Sequence, residues 1–389
     1  MLKKNLNLIS ASALLMVFAS CSGAKAESKL TESGLDPQNF VSQIDGKETG
    51  LYTLKNANGM EVCITNFGGR VVSVMVPDRD GKLTDVVLGY DNIAQYADMK
   101  NSPSDYGASV GRYANRIKGG KLTVEGQEYQ LPRNNFGHCL HGGPTGWIYK
   151  VYDVEEANDS ILKLQLVSPD GDNNFPGTVT ATTTYKLLSN NTLDITFEAT
   201  TDKETVVNMT NHSYFNLNGD PSQEGTDMVL YLNADNYTPS DFTYMTTGEI
   251  APVEGTPMDF RTPRALNTTI NDTTFQQIKN AQGYDHNWCL NTYKDGKGDD
   301  TQVCASLYSP KTGIFMEMYT NEPGVQCYTG NFQGTGIACK HGIKYPKHVS
   351  VCLESQKYPD SPNHPEWPSP YLKPGEKYYS HAAYKFSTK

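Results

Sequence analysis

The chain has 389 residues, of which 20% are charged and 10% aromatic, and its formal net charge at pH 7 is −10. This acidity makes nucleic acids and anionic membrane surfaces poor partners for the folded part, because such surfaces attract basic patches. Tyr is the commonest aromatic residue, and Gly and Pro occur 34 and 21 times, which favours many short strands joined by tight turns over long helices.

Residues 1–20 are predicted to be a signal peptide of the lipoprotein type. Lys3 and Lys4 precede a mostly apolar run over residues 6–18, which ends at small residues directly before Cys21. The run is too short to favour a transmembrane span. We therefore expect lipidation of Cys21 and an exported protein, anchored to the outer membrane or held in the periplasm, which contacts membrane only through this anchor. An ordinary cleaved signal, in which Cys21 is incidental, is the alternative.

Residues 21–46 are mostly small and polar and show no repeating apolar pattern, so they are predicted to be a tether. Nothing like a linker follows, and no internal repeat of the kind found in propellers is present. Residues 47–389 are therefore predicted to form one domain. Monomers or a weak dimer are expected.

Strand patterns dominate this domain. Leucines alternate with polar residues over residues 162–166, and apolar and polar residues alternate again over 193–198. Turn residues precede or separate such runs, for example Gly126–Gln127 between two short apolar stretches. Only residues 273–281 and 91–98 suggest short helices. The pattern predicts an all-β fold, a large antiparallel β-sandwich.

The seven cysteines beyond Cys21 show no metal-binding spacing and no CxxC pair. Several lie in apolar, strand-like surroundings, where a free thiol behaves as a small hydrophobic residue. No zinc site and no obligatory disulfide framework are therefore predicted.

The stretch TNHSYFNLNG, residues 210–219, places an imidazole among amides and hydroxyls on a predicted strand. Alternation puts Met209, Phe215 and Leu217 on the core face. The residues expected on the opposite, wet face are Asn208, Thr210, His212, Tyr214 and Asn216. Such groups are suited to sugar hydroxyls, and His212 could bind, transfer a proton or cap a turn.

Glu354 lies near the end of a second alternating strand, HVSVCLESQ, at residues 348–356. Val351 and Leu353 belong to its apolar face, and Cys352 and Glu354 to its polar face. A carboxylate at such a strand end is a candidate general base. Taken alone, however, a glutamate on a polar strand face is most often solvated and structural.

Taken together and in this order, several motifs resemble those of the aldose 1-epimerase, or galactose mutarotase, family over residues 50–386. The motifs are GRYANRI (111–117), LHGG (140–143), SPDGDNNFPG (168–177), TNHSYFN (210–216), GYDHNW (283–288), PGVQCYTGN (323–331) and CLESQKYPDSPN (352–363). The resemblance implies a β-sandwich of the galactose mutarotase type, in which residues 47–389 are the catalytic domain. It also implies an enzyme without metal or organic cofactor that interconverts the anomers of free hexose sugars.

Carried over residue by residue, the resemblance implies that His212 is the general acid and Glu354 the general base. The sugar-binding residues that it implies are Asn115, Arg116, His141, Ser213, Tyr214, Asp285 and Gln326. Strict alternation would turn Ser213 away from the site, so either a bulge brings it back or only Tyr214 approaches the sugar.

The chemistry requires a protonated acid and a deprotonated base at the same time near neutral pH. A nearby carboxylate, Glu354 or Asp285, is expected to raise the pKa of His212 and so favour imidazolium. Arg116 is expected near the anomeric end, where it would favour ionised Glu354. A Tyr or Trp288 could offer a flat surface to the sugar.

Departures from the family pattern are modest: Cys327 stands where an aromatic residue is common, and His138–Cys139 precede LHGG. They leave open the shape of one pocket wall. Two rival functions remain. Asp285 and Glu354 could serve a glycoside hydrolase, which would release reducing sugar from glycosides. A surface lectin would bind sugar without accelerating anomer exchange.

Overall fold

The computed structural model describes residues 29–389, so the predicted signal peptide and Cys21 lie outside the described residues. The described chain is nearly all β, and its strand ladders are antiparallel throughout. Three larger sheets account for most of the strands. No helix in this part of the chain has the length and apolar character needed to span a membrane.

The largest sheet has nine strands. In spatial order they are Asp153–Ala157, Ile161–Ser168, Val179–Leu187, Thr192–Thr201, Tyr378–Thr388, Ile314–Thr320, Ala305–Tyr308, Val229–Leu232 and Arg264–Ala265.

A six-stranded and a four-stranded sheet lie across the core from it. The six-stranded sheet has the order Tyr214–Phe215, Val351–Gln356, Gly324–Tyr328, Asp285–Cys289, Asn236–Thr238 and Ala251–Pro252. The four-stranded sheet has the order Leu51–Lys55, Glu61–Thr65, Arg70–Pro77 and Leu83–Asp85.

Short strand pairs and helical turns complete the domain. The pairs are Ser42–Ile44 with Lys47–Thr49, Lys121–Val124 with Gln127–Gln130, Arg116–Ile117 with Cys139–Leu140, Thr205–Val206 with Tyr371–Leu372, Ala108–Val110 with Thr210–His212, and Tyr293–Lys294 with Lys297–Gly298. The α-helices are Ile93–Ala97 and Gln276–Ala281, and the 3-10 helices are Pro37–Phe40, Lys118–Gly120, Trp147–Tyr149, Asp172–Asn174, Leu266–Thr268, Lys340–Gly342 and Ser361–Asn363.

The main core lies between the nine-stranded sheet and the two smaller sheets. Leu162, Leu164 and Leu166 are buried while the residues between them are partly exposed, as their alternation predicts. They join one apolar cluster with side chains such as Ile64 of the four-stranded sheet and Leu353 of the six-stranded sheet. The predicted all-β sandwich is therefore confirmed, as are the two short helices.

The tether predicted for residues 21–46 is wrong over its described part. Pro37–Phe40 form a 3-10 helix that begins at an Asp36 cap, and the first strand pair follows directly. Leu35 and Phe40 are 2% and 0% exposed and belong to a second apolar cluster. Because the composition around them is polar, these two apolar anchors were not apparent in the sequence. The folded domain therefore begins well before residue 47.

Candidate active site

A cavity of about 220 Å³ opens on the face of the six-stranded sheet that points away from the main core. In the register of this sheet Gln326 lies directly opposite Glu354, and Asp285 lies opposite Tyr328. Eight of the predicted site residues line the cavity: Asn115, Arg116, His141, His212, Tyr214, Asp285, Gln326 and Glu354. The fold thus brings together residues from motifs that are far apart in the sequence.

His212 and Glu354 form the closest acid and base pair in this cavity. The His212 Nε2 to Glu354 Oε1 distance is 3.5 Å, and the two side chains are 5% and 2% exposed. Among the described residues, His212 Nδ1 and Glu354 Oε2 have no hydrogen-bond partner. Buried polar atoms are normally satisfied, so both members of this pair keep unused hydrogen-bonding capacity.

Burial controls the charge of this pair. It lowers the pKa of His212, which the charge of Asp105 only partly opposes. Burial also raises the pKa of Glu354 well above its usual value, and Asp285 and Asp105 add to this while Arg116 opposes it. The expectation that Glu354 or Asp285 raises the pKa of His212 is therefore wrong. Desolvation outweighs the nearby charges, and the carboxylate that favours imidazolium is Asp105.

His141 is fixed as a neutral hydrogen-bond donor. Its Nδ1 accepts a hydrogen bond of 3.1 Å from the Asn115 backbone N–H, which leaves the proton on Nε2. Burial lowers the pKa of His141 to about 3, so the ring stays neutral at physiological pH. Its centroid lies 5.3 Å from that of His212, with the rings nearly perpendicular. His141 can therefore donate to a sugar hydroxyl without adding charge.

Arg116 supplies the buried positive charge of the site. Its Nε and Nη2 donate hydrogen bonds of 3.2 and 2.9 Å to Asn135 Oδ1, and its guanidinium carbon lies 5.3 Å from the centre of the Tyr244 ring. This charge acts to lower the pKa of both Glu354 and Asp285, against the larger effect of burial. Arg116 thus lowers the pKa of Glu354 as expected, but burial raises this pKa by more.

Asp285 and Gln326 are held together at the neighbouring strands. Gln326 Nε2 donates a hydrogen bond of 2.6 Å to Asp285 Oδ1, and Gln326 Oε1 accepts one of 3.3 Å from Gln356 Nε2. The amide of Gln356 therefore fixes which end of Gln326 faces the carboxylate. Such a connected pair can accept and donate hydrogen bonds to adjacent sugar hydroxyls.

Ser213 is not among the residues that line the cavity, so its role as a sugar-binding residue stays a prediction. Ser213 lies between the strands Thr210–His212 and Tyr214–Phe215 and belongs to neither. Its hydroxyl donates a hydrogen bond of 2.6 Å to Asn211 Oδ1. Strand alternation turns its side chain away from His212 and Tyr214. Only Tyr214 approaches the cavity, with its ring stacked 4.9 Å from that of His212.

The solvent-facing side predicted for residues 208–216 contains fewer cavity residues than expected. Asn208 and Asn216 are buried, and their amides donate to the backbone carbonyls of Ala114 and Val349. Their role is to satisfy backbone groups between sheets. Trp288 is likewise excluded as a sugar platform, because it is fully buried in the main core and donates to the Met258 carbonyl.

Several cavity residues were missed by the sequence reasoning. Asp105 is half-buried and lies in the loop before a strand, where nothing in its sequence surroundings distinguishes it from other surface acids. Tyr328 and Phe332 also line the cavity, and both lie in or next to the PGVQCYTGN motif, which could have indicated them. Cys327 and Cys139, in contrast, are buried in apolar clusters and do not line the cavity.

Two groups of side chains in the described residues have atoms of the metal-ligand type within 4.8 Å of one another. They are Asp105 with His141 and His212, and His212 with Cys352 and Glu354. Both share His212, so a metal ion there would compete with its use as an acid. That the protein uses no metal stays a prediction.

Comparisons with known proteins identify the family of the chain. The sequence model of a family described as aldose 1-epimerase matches residues 50–385. The galactose mutarotase of Mus musculus is 40% identical over 328 residues, which cover 84% of this chain and 91% of the mouse protein. The aldose 1-epimerase of Escherichia coli is 37% identical over 345 residues, which cover 88% of this chain and 96% of the bacterial protein.

Solved structures show the same fold. A GalM/aldose epimerase homologue from C. elegans superimposes with a TM-score of 0.79 at 28% identity, covering 87% of this chain and 99% of that chain. A galactose 1-epimerase from Lactobacillus acidophilus gives a TM-score of 0.75 at 29% identity, covering 89% of this chain and 97% of that chain.

Proposed function

Because the chain belongs to the aldose 1-epimerase family, we propose that it interconverts the α and β anomers of free hexoses such as galactose and glucose. The observation that carries this proposal is the buried pair of His212 and Glu354, whose reacting atoms lie 3.5 Å apart beside a cavity suited to one sugar ring.

In the proposed mechanism, Glu354 removes the proton of the C1 hydroxyl while His212 donates a proton to the ring oxygen. The bond between C1 and the ring oxygen breaks, and C1 becomes the aldehyde carbon. Rotation about the C1–C2 bond then presents the other face of the aldehyde. On closure the C5 hydroxyl attacks C1 and returns its proton to His212, while Glu354 returns its proton to the former carbonyl oxygen. Atoms and charges balance, and no bound cofactor is required.

The pKa directions suit this exchange. Ring opening converts an imidazolium and a carboxylate into a neutral imidazole and a carboxylic acid, and burial favours the neutral pair by lowering the pKa of His212 and raising that of Glu354. Arg116 favours the Glu354 carboxylate that begins the reaction, whereas Asp105 favours the His212 imidazolium but also raises the pKa of Glu354. The nearby charges therefore oppose burial only in part, and burial has the larger effect on the pKa of each group.

The remaining lining residues are proposed to hold the sugar. Neutral His141 donates a hydrogen bond to one sugar hydroxyl. Asp285 and Gln326, which are held in place by the hydrogen bond between them, form hydrogen bonds with other hydroxyls. Asn115 supports His141 through its backbone N–H, and Tyr214 stacks on His212 and limits its rotation. These groups would orient the anomeric carbon between the acid and the base.

The test is polarimetric. Fresh α-galactose and α-glucose are allowed to equilibrate with wild-type protein, with His212→Asn and with Glu354→Gln. Wild-type protein is expected to accelerate equilibration of both sugars and to release no reducing sugar from glycosides. A protein that binds sugar without acceleration would be a lectin, and one that cleaves glycosides would be a hydrolase. Either result, or near-full rates in both variants, would overturn the proposal.

We further propose that the protein is exported and anchored by a lipid on Cys21. The support is the basic start, the short apolar run and the small residues before Cys21. Labelled palmitate is expected to be incorporated by the wild-type chain and not by Cys21→Ala, and the protein is expected to fractionate with outer membranes. Absence of label, or label that persists in Cys21→Ala, would contradict the anchor.

A further inference from the structure

We propose that Asp105 contacts the substrate and determines specificity: together with His141 it binds the C6 hydroxyl of the hexose whose ring oxygen receives a proton from His212. The proposal rests on the proposed epimerase function and concerns the same cavity. It gives Asp105 a direct contact with the sugar, in addition to the effect of its charge on neighbouring groups. It therefore predicts which sugars the protein distinguishes.

The carboxylate of Asp105 is open to the cavity. Asp105 is half-buried and lines the cavity wall. In the part of the chain that the structure describes, its side chain accepts no hydrogen bond, whereas the carboxylate of Asp285 accepts one from Gln326. An ionised carboxylate is only an acceptor, and its two oxygens have room for several donors. A sugar hydroxyl can supply the donor that the protein does not.

The spacing between Asp105 and the two histidines fits one hydroxyl. A carboxylate oxygen of Asp105 and one ring nitrogen each of His141 and His212 lie within 4.8 Å of one another. Over residues 29–389, however, no hydrogen bond or ion pair joins Asp105 to either ring. Two hydrogen bonds of about 2.8 Å that meet at a tetrahedral oxygen span about 4.6 Å. The gap is therefore too wide for a direct hydrogen bond and matches the span of a bridging oxygen.

His141 supplies the donor that complements this acceptor. Its Nδ1 accepts a hydrogen bond from the Asn115 backbone N–H, so the proton of the neutral ring is on Nε2, and the ring lines the cavity. A hydroxyl can accept a hydrogen bond from this N–H while it donates its own proton to Asp105. A sugar that carries hydrogen instead of this hydroxyl would leave both protein groups unpaired, which weakens its binding.

The position of the acid identifies the hydroxyl. His212, which donates to the ring oxygen in the proposed mechanism, has its ring centroid 5.3 Å from that of His141 and a ring nitrogen within 4.8 Å of the Asp105 carboxylate. A hydroxyl between Asp105 and His141 is therefore close to the ring oxygen, which is bonded to C1 and C5. Because the C1 hydroxyl faces Glu354, the hydroxyl of C6, which is attached to C5, is the one that remains at this end of the sugar.

A buried arginine fixes the loop that carries Asp105. Arg70 is 0% exposed, and its Nη1 donates hydrogen bonds of 3.1 and 3.2 Å to the carbonyls of Ser104 and Tyr106, the two neighbours of Asp105. Its Nη2 donates one of 2.9 Å to the Ile148 carbonyl. Because the backbone is held on both sides of Asp105, the carboxylate is in position before the sugar binds, which reduces the entropy lost on binding.

The test compares α-D-galactose with α-D-fucose, which is 6-deoxygalactose and lacks only the C6 hydroxyl. The readout is the ratio of their kcat/KM values, because a change in the pH profile or in stability alters both rates alike. Wild-type protein should favour galactose by about tenfold to a hundredfold, the range of a hydrogen bond to a charged group. Asp105→Ala should lower this ratio about tenfold, through a loss on galactose. Asp105→Asn should lower it less, since the amide oxygen still accepts a hydrogen bond.

The matched control is Asp285→Ala, which removes another carboxylate that lines the cavity. It should lower both rates and leave the galactose-to-fucose ratio as in wild-type protein. Activity that Asp105→Ala retains on α-D-fucose shows that this variant is folded.

The outcomes separate the role of Asp105 from the epimerase function. Equal wild-type rates on the two sugars would overturn the C6 contact and leave the epimerase function intact. A ratio that stays unchanged in both Asp105 variants would show that Asp105 does not contact this hydroxyl, and a ratio that falls in Asp285→Ala instead would place the hydroxyl at Asp285. Absence of acceleration on α-D-galactose in wild-type protein would overturn the proposed function itself.

Discussion

His212 Nε2 lies 3.5 Å from Glu354 Oε1, although the two residues belong to strands of different sheets. His212 ends a short strand that pairs with Ala108–Val110, while Glu354 lies in the six-stranded sheet opposite Gln326. Both side chains are removed from water, and burial shifts the pKa of each toward its neutral form. The expected outcomes below depend on this close relationship.

The acid and the base are expected to act as a unit. His212→Asn and Glu354→Gln should each lower kcat for anomer equilibration by about 10²- to 10⁴-fold, because each removes one proton-transfer group. The double variant should be little worse than the poorer single variant, since one group without the other cannot complete the exchange. Polarimetry checks this, with His341→Asn at an exposed position as the control. Fully multiplicative losses would contradict the coupling.

Asp105 is expected to set the pH range of activity. Its charge acts to raise the pKa of both His212 and Glu354. The rate falls at high pH as His212 loses its proton and at low pH as Glu354 gains one, so Asp105→Asn should move both limbs of the kcat/KM profile to lower pH. Asp153→Asn, an exposed carboxylate on the nine-stranded sheet, provides the matched control. An unchanged profile in Asp105→Asn would show that its charge does not reach the pair.

Substitutions at Ser213 and at Gln326 are expected to have very different effects on kcat/KM. Ser213→Ala should leave kcat/KM within about twofold, because its hydroxyl bonds to Asn211 and does not line the cavity. Gln326→Leu should lower kcat/KM by about tenfold or more, since it removes a cavity-lining amide and leaves Asp285 without its 2.6 Å hydrogen bond. Initial-rate polarimetry on α-galactose measures both. A larger loss in Ser213→Ala than in Gln326→Leu would favour the original prediction for Ser213.

The segment before residue 47 is expected to stabilise the domain. A chain that starts at residue 47 lacks Leu35 and Phe40, and burial of each such side chain contributes about 1.5–3 kcal/mol. Its free energy of unfolding in urea should therefore be lower than that of a chain that starts at residue 29. Val41→Ala, at a position that is 49% exposed, should change this quantity by less than about 0.5 kcal/mol. Equal stabilities of the two truncated chains would restore the tether prediction.

Metal removal is expected to leave the rate unchanged. The proposed exchange uses only the protons of His212 and Glu354, so dialysis against EDTA should not alter kcat. Added Zn²⁺ is the informative comparison, because both groups of ligand-type atoms include His212. Loss of activity on EDTA treatment, restored by a divalent cation, would show that one of these groups holds a functional metal.

Much of the fold was predictable because burial imposes a period of two on strands. The alternation at Leu162, Leu164 and Leu166 identified a core face, and that at Val351 and Leu353 did so for the strand that carries Glu354. Leu35 and Phe40 show the limit of this reasoning, since isolated apolar residues in polar surroundings carry no period. Their burial depends on a cluster assembled from distant parts of the chain.

The sequence alone determined the strand pattern, the family resemblance and the identity of His212, Glu354 and most of their neighbours, because these depend on local periodicity and on motifs read in order. The tertiary structure decided that Ser213 turns away, that Asp105 joins the two histidines, and that burial rather than a neighbouring carboxylate dominates the pKa of His212. Desolvation and Coulomb interactions depend on distances in space, and those distances are set only when separate sheets pack around one cavity.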